Sequence, residues 1–407
     1  MTRATVCLAL VATMLASTGF AGDADRELTL GDALTTGDVS LTLRYRLEAV
    51  EQPDLFDKDA FASTLRTTLA YRTGRWQGLE VFLELEDVHE IGVQDHARDL
   101  GVGSGNGVTD RPVIADPEGT EVNQAAVIWS PTRRLRASLG RQEILIDTHR
   151  FVGNVGWRQN HQSFDAARLD LDLGAATTAS YAYIGQVHRV FGDSLPMSSH
   201  VVDIAHTLRS IDTMRAYAVL LDYDDIKDAS LSRSSYGASF DGRARLGSSS
   251  LLLYRIEHAW QRDSGDNPHH VDAEYSRADL GLNVGQMTFN IGYEVLGGSP
   301  KNDRFLTPLA TLHKFNGFAD LFLVTPPDGL KDLLASIDAT LGAWKLTAIW
   351  HDLSSDSGSS QYGQELDLLV VRTLPWKQTV GLKGAFYEAD ELAVDTHKVM
   401  LWTQWGF

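Results

Sequence analysis

The chain has 407 residues, with 54 Asp plus Glu against 36 Lys plus Arg and a formal net charge of −18 at pH 7. So acidic a balance argues against nucleic acid as a partner, because phosphates are held by an excess of Lys and Arg. The one cysteine, Cys7, lies in the first short apolar stretch, so the rest of the chain has no disulfide and no cysteine metal site.

That first stretch has the form of a secretory signal. Arg3 supplies a positive start, "VCLALVATMLA" an apolar core of about eleven residues, and "STGFAG" a small-residue cleavage region. The core is shorter than the roughly 20 apolar residues of a spanning helix. Residues 1–21 are expected to be removed, leaving 22–407 as a single domain without an internal linker.

From there the chain alternates with period two, the pattern of strands with one apolar and one polar face. "VSLTLRYRLEA" sets Val39, Leu41, Leu43, Tyr45 and Leu47 against Ser40, Thr42, Arg44, Arg46 and Glu48. "MTFNIGYEV" sets Met287, Phe289, Ile291, Tyr293 and Val295 against Thr288, Asn290, Gly292 and Glu294. "WKLTAIWH" sets Trp344, Leu346, Ala348 and Trp350 against Lys345, Thr347, Ile349 and His351. About eighteen such segments, of roughly 8–12 residues each, predict an all-β transmembrane antiparallel barrel of outer-membrane type. Connections after even-numbered strands are short, whereas long ones follow odd-numbered strands near 89–119, 147–164, 187–199 and 297–330. A barrel with short turns on one side and long external loops on the other explains that segregation; a soluble sandwich does not. Aromatic residues at strand ends, Tyr71, Trp129, Tyr223, Trp260, Tyr293 and Trp350, are expected in the interfacial girdles.

The segment "LGRQEILIDTHRFVGNVGWRQNHQSFDAARL" joins the fifth strand (expected over 135–146) to the sixth (expected over 165–173). Phe151, Trp157 and Phe164 favour folding back into the barrel mouth over projection into water, with Gly153 and Gly156 permitting tight turns. The segment resembles the hallmark of the bacterial alginate-export family, through Gly140, Arg141, Gln142, Asp147, Arg150, Gly153, Trp157, Arg158, Gln159, Phe164, Asp165 and Ala166. Early strands carrying "LRYR" and "STLRTTLAYRT" and a terminal Phe407 agree with it. The resemblance implies an eighteen-stranded monomer that passes an anionic polyuronate by electrostatically assisted diffusion, with an arginine-rich lumen and a connection acting as plug or gate. The loops are shorter than expected for a dedicated alginate exporter, so the fold transfers better than the cargo.

The inward face supplies matching chemistry. Arg44, Arg46, Arg66, Arg72, Arg136 and Arg168 lie on the first six strands, and Arg255, Arg277, Lys345 and Lys383 follow. Guanidinium groups bind carboxylates bidentately and stay ionised. Acids on the same face, Glu80, Glu84, Glu86, Asp170, Asp172 and Asp338, are placed to hold those arginines extended. For any single arginine, bracing of the wall is the commoner role. Substrate contact is therefore expected from the set Arg44, Arg46, Arg66, Arg136, Arg141, Gln142, Asp147, Arg150, Trp157, Arg158, Gln159, Asp165 and Arg168. Phe407 closes an alternating last strand, as in the signal read by the barrel-assembly machinery.

An enzyme is not expected: no Gly-x-Ser-x-Gly elbow occurs among the many serines and thirteen histidines. No cofactor and no metal site is expected; residues 267–275, with His269, His270, Asp272 and Glu274, lack the His-Glu-x-x-His spacing. The expected setting is the bacterial outer membrane, with its lipids and lipopolysaccharide as surroundings. The alternative to polysaccharide passage is a porin for small anionic or sugar nutrients.

Overall fold

The structure, a computed structural model, describes residues 29–98, 105–209, 211–299 and 303–407; the expected signal segment lies outside them. Eighteen antiparallel strands follow one another around the sheet. They are β1 (Asp38–Glu51), β2 (Ala60–Arg72), β3 (Leu79–Asp95), β4 (Gly119–Thr132), β5 (Leu135–Gln142), β6 (Ser163–Gly174), β7 (Thr177–His188), β8 (Ser194–Leu208) and β9 (Asp212–Leu221). The second half holds β10 (Arg233–Leu246), β11 (Ser250–Asp263), β12 (Asp272–Val284), β13 (Met287–Leu296), β14 (Leu330–Leu341), β15 (Trp344–Ser354), β16 (Gln361–Thr373), β17 (Thr379–Ala389) and β18 (Thr396–Gly406).

β18 pairs with β1 from Thr42↔Gly406 to Glu51↔His397, which closes the ring. Phe407 completes the seam by exchanging both backbone hydrogen bonds with Leu41, at 2.9 and 3.2 Å. Closure is what lipid demands, because a free backbone amide or carbonyl in hydrocarbon costs several kcal/mol.

The alternation read from the sequence sets the two faces. Met287, Phe289, Ile291 and Tyr293 are exposed on the outside, whereas Glu294 is 1 % exposed on the inside. The same holds for Val399 and Leu401 against Lys398 and Met400 in β18. Trp129, Trp260, Tyr293 and Trp350 are exposed as a girdle requires, but Tyr223 is not. It lies past the end of β9, bridged to Met197 and buried in the interior cluster, because the chain turns inward there.

Two expected boundaries shift. β5 stops at Gln142, and Ile144 and Ile146 pack inside the barrel instead of continuing the strand. The expected long connection over 187–199 is a turn of five residues, 189–193, between β7 and β8. A short helix, Leu30–Thr35, precedes β1 and has a Thr29–Asp32 capping box. It caps the end of the barrel that carries the short turns, where Tyr71 Oη donates to Leu34 O at 2.8 Å.

A wall of this circumference cannot fill its own interior with side chains. The apolar core therefore lies between wall and loops. Phe151, Val152, Phe305, Leu309, Phe318 and Phe322 enter from two in-folded loops and meet Tyr217, Tyr275 and Tyr387 of the wall.

Candidate functional site: the lumen and its plug

Residues 143–162, between β5 and β6, and residues 303–329, between β13 and β14, turn into the lumen from the long-loop end. Val152 and Leu309 form a parallel bridge, and Gly153 N donates to Leu309 O at 2.9 Å. This contact explains Gly153 better than a turn does: a Cβ there would stand 2.1 Å from Thr311 Oγ1. The two loops thus form one plug, stapled edge to edge before it meets the wall.

The wall's arginines grip the plug's backbone. Arg44 Nη1 donates to Gly156 O at 3.2 Å, Arg46 Nη1 to Trp157 O at 2.6 Å, and Arg66 Nη1 to Gln159 O at 3.4 Å. Trp157 itself sits in a cationic cage. The guanidinium carbons of Arg44 and Arg46 lie 5.0 and 5.1 Å from its ring, Lys383 Nζ lies 3.7 Å away, and His313 stacks on it at 4.9 Å. Desolvated contacts of this kind are worth up to about 2 kcal/mol each, more than an exposed ion pair.

The plug's own charges reach back to the wall. Arg158 bridges Glu48 of β1 at 3.4 Å and Asp320 of the second loop, and Lys398 of β18 reaches Asp320 at 3.1 Å. Arg46 is paired with Asp116 and Glu48. Gln159 N donates to Asp116 Oδ1 at 2.8 Å, and its side-chain amide to Thr64 Oγ1 at 2.9 Å. Across the barrel, Arg150 forks onto Glu294 at 2.9 Å and donates to Asn316 at 3.0 Å. Asp147 meets Arg215 of β9 and Arg255 of β11.

Burial tunes the plug's titrating groups. Burial pushes the Asp320 carboxyl up, but His313, Lys398 and Arg158 outweigh it and hold the group well below the usual carboxylate range. Desolvation drives His313 down to about 3, so it is a neutral ring. His161 is also desolvated, yet Glu86 and Glu143 outweigh that and raise it.

Towards the short-turn end the inward face opens. Asp332 of β14 is fully buried under the plug, while Asp338 of the same face is exposed and accepts from Thr347 at 2.6 Å. A cavity of about 310 Å³ there is lined by Arg133, Arg134, Arg136 and Arg168 together with Asp170 and Asp203. Arg168 is buried and forks onto Asp170 at 2.8–2.9 Å, with Nη1 left without a partner.

Eleven of the thirteen residues read from the sequence thus line the lumen or belong to the plug. Gln142 does so only as a brace, donating to Gly140 O and Ala166 O at 3.1 Å each. Arg141 and Asp165 are placed differently. They pair opposite one another in register and share the face of Leu139, which is 45 % exposed on the outside. There they form a 2.9 Å ion pair joined by His188 at 3.0 Å. The strand period puts Arg141 and Gln142 on opposite faces, so one run of polar residues could not all line one tube. Sequence reasoning missed Asp116, Asp320, Asn316, Arg215 and Lys398. Arg215 and Lys398 were legible from inward alternation, whereas Asp116, Asn316 and Asp320 sit in loops without a period.

An eighteen-stranded barrel with a charged lumen and in-folded loops defines an outer-membrane channel of the porin type. The sequence profile described as alginate export matches residues 36–291, more than half of the chain, and the chain belongs to that family. No curated protein sequence matches it. Among solved structures, Pseudomonas aeruginosa OpdK with vanillate superposes with a TM-score of 0.71 at 13 % identity, covering 92 % of this chain and 99 % of that one. Pseudomonas aeruginosa OccK2 (OpdF) in complex with glucuronate gives 0.70 at 12 %, covering 92 % and 98 %. Acinetobacter baumannii OccAB2 gives 0.71 at 12 %, covering 93 % and 100 %. These likenesses are to the fold; neither they nor the family are enzymes.

Proposed function

We propose that the chain is a channel of the bacterial outer membrane that passes an anionic polyuronate by passive, electrostatically assisted diffusion. The observation that carries this reading is the convergence of Arg44, Arg46 and Arg66 on the plug, beside the plug's own Arg158, while Arg133, Arg134, Arg136 and Arg168 surround the open cavity below it. Cations on a low-dielectric wall concentrate anions in the tube. The interleaved acids Glu48, Asp116 and Asp170 keep any one site from holding its anion too long, as conduction requires. The chain acts as a monomer among lipid and lipopolysaccharide, and Phe407 is the assembly signal.

Planar-bilayer recordings with a salt gradient test this reading. Anion-selective reversal potentials and block by added polyuronate are expected; cation selectivity, or indifference to the polymer, would abandon it. A second reading, a porin for small anions, is favoured by one observation: the plug fills the loop-end half of the lumen. Under it, a monomeric uronate permeates and a long polymer neither enters nor blocks.

A further inference from the structure

Beneath the plug, on the β3–β4 side of the lumen, acceptor atoms converge and two buried ones, Glu86 Oε2 and Asn123 Oδ1, have no hydrogen-bond partner. Glu84, Glu143 and His161 each offer one ligand atom, all within 4.8 Å of one another. Asn123 Nδ2 stands among them, at 2.7 Å from Glu84 Oε1, 3.1 Å from Glu143 Oε1 and 3.4 Å from His161 Nδ1. Two of these neighbours are carboxylate acceptors; the third, Nδ1, carries the ring proton because Arg66 donates to Nε2, so it faces the amide nitrogen donor to donor.

Two further atoms sharpen the picture. Glu86 Oε2, on a fully buried side chain, lies 3.2 Å from His161 Nδ1 and has no hydrogen-bond partner. Asn123 Oδ1 is also buried and without a partner. Asn123 points inward because of a bulge: Glu84 pairs with Gln124 and Leu85 with Val122, which leaves residue 123 as the extra one. A half-turn of the amide brings the orphan Oδ1 to the centre in place of Nδ2.

We propose that Glu84, Glu86, Asn123, Glu143 and His161 form a binding site for a divalent cation that staples the plug to the wall. Carboxylate and amide oxygens with one imidazole nitrogen suit Mn²⁺ or Zn²⁺. The ligands come from both sides of the closure, β3 and β4 on the wall and both ends of the loop, so one ion ties four chain segments together. Arg66 is the competitor. Its Nη1 is 2.6 Å from His161 Nε2, which holds the ring with its proton on Nδ1. Metal uptake moves that proton to Nε2, frees the Nδ1 lone pair, and leaves Arg66 to its contact with Gln159 O. The site is independent of what the channel carries.

The full chain in detergent, stripped with chelator and dialysed against MnCl₂ or ZnCl₂, is assayed by elemental analysis and titration calorimetry. One retained ion per chain is expected. The Glu84→Gln/Glu143→Gln double variant is expected to lose it while keeping the heat-modifiable gel mobility of a folded barrel, and Arg66→Gln to bind more tightly. Failure of the stripped wild-type chain to retain an ion would overturn the site whatever the variants do. Equal retention by the folded double variant, or weaker binding by Arg66→Gln, would overturn this assignment of ligands.

Discussion

The two halves of the lumen are built from the same strands and the same alternation, yet they behave differently. Along β1, Arg44, Arg46 and Glu48 are buried, whereas Ser40 on the same face is exposed. Along β14 the inward face passes from buried Asp332 to exposed Asp338. The difference lies in what covers the wall. In the loop-end half, charges are desolvated and locked into pairs with the plug; in the turn-end half, Arg168 apart, they are wetter. Buried pairs are strong fixtures, because removing one partner leaves an uncompensated charge at a cost of about 3–5 kcal/mol. Wet pairs contribute roughly 0–1 kcal/mol and exchange partners easily. The plugged half is therefore suited to gating, the open half to gathering anions.

The largest effect is expected where the plug is pinned. Arg158→Ala leaves Glu48 to Arg46 and Asp320 to Lys398 and His313, cuts the link between them, and should raise the open population by roughly tenfold or more, read as higher and noisier single-channel conductance with unchanged barrel mobility on gels. Unaltered conductance would mean that the plug is held elsewhere. Gly153→Val, which drives a side chain into Thr311, should part the two loops and produce a similar though smaller gain.

In the open half, Arg133→Glu with Arg134→Glu, both exposed at the rim of the cavity, should shift the reversal potential toward cations and leave thermal unfolding nearly unchanged. A large loss of stability there would erase the contrast between the halves.

Plug retention should also vary with pH, on the acid side of neutrality. His313 is lowered to about 3, so its contribution is complete above the ordinary imidazole range near 6.5 and fades as pH falls. Open probability should therefore rise as pH falls from that range, and His313→Gln should remove the rise. The smallest effect is expected from Lys345→Ala, an exposed change in the open half, which should leave conductance, selectivity and stability within error.

Much of this was legible in the chain. The two-residue period located the strands and their faces, and the grouping of long connections on one end set the barrel's polarity. Aromatic residues within residues 150–166 foretold a loop that folds inward. Less legible was which arginine would be gripped by what. Arg141 read as part of the lumen because it belongs to a polar run, yet register with Asp165 and Leu139 turns it outside. Tyr223 read as a girdle residue because it closes a strand, yet the chain bends inward there.

By itself the sequence determined the closed wall, since alternation makes one side greasy and the other polar, and lipid leaves such ribbons no stable end but a ring. Only the tertiary structure decided that residues 143–162 and 303–329 meet as one plug, and that Arg158 closes on Glu48 and Asp320. Those partners lie more than a hundred residues apart and, Glu48 of β1 apart, on segments with no repeating pattern, so their meeting follows from how far each loop reaches across the tube.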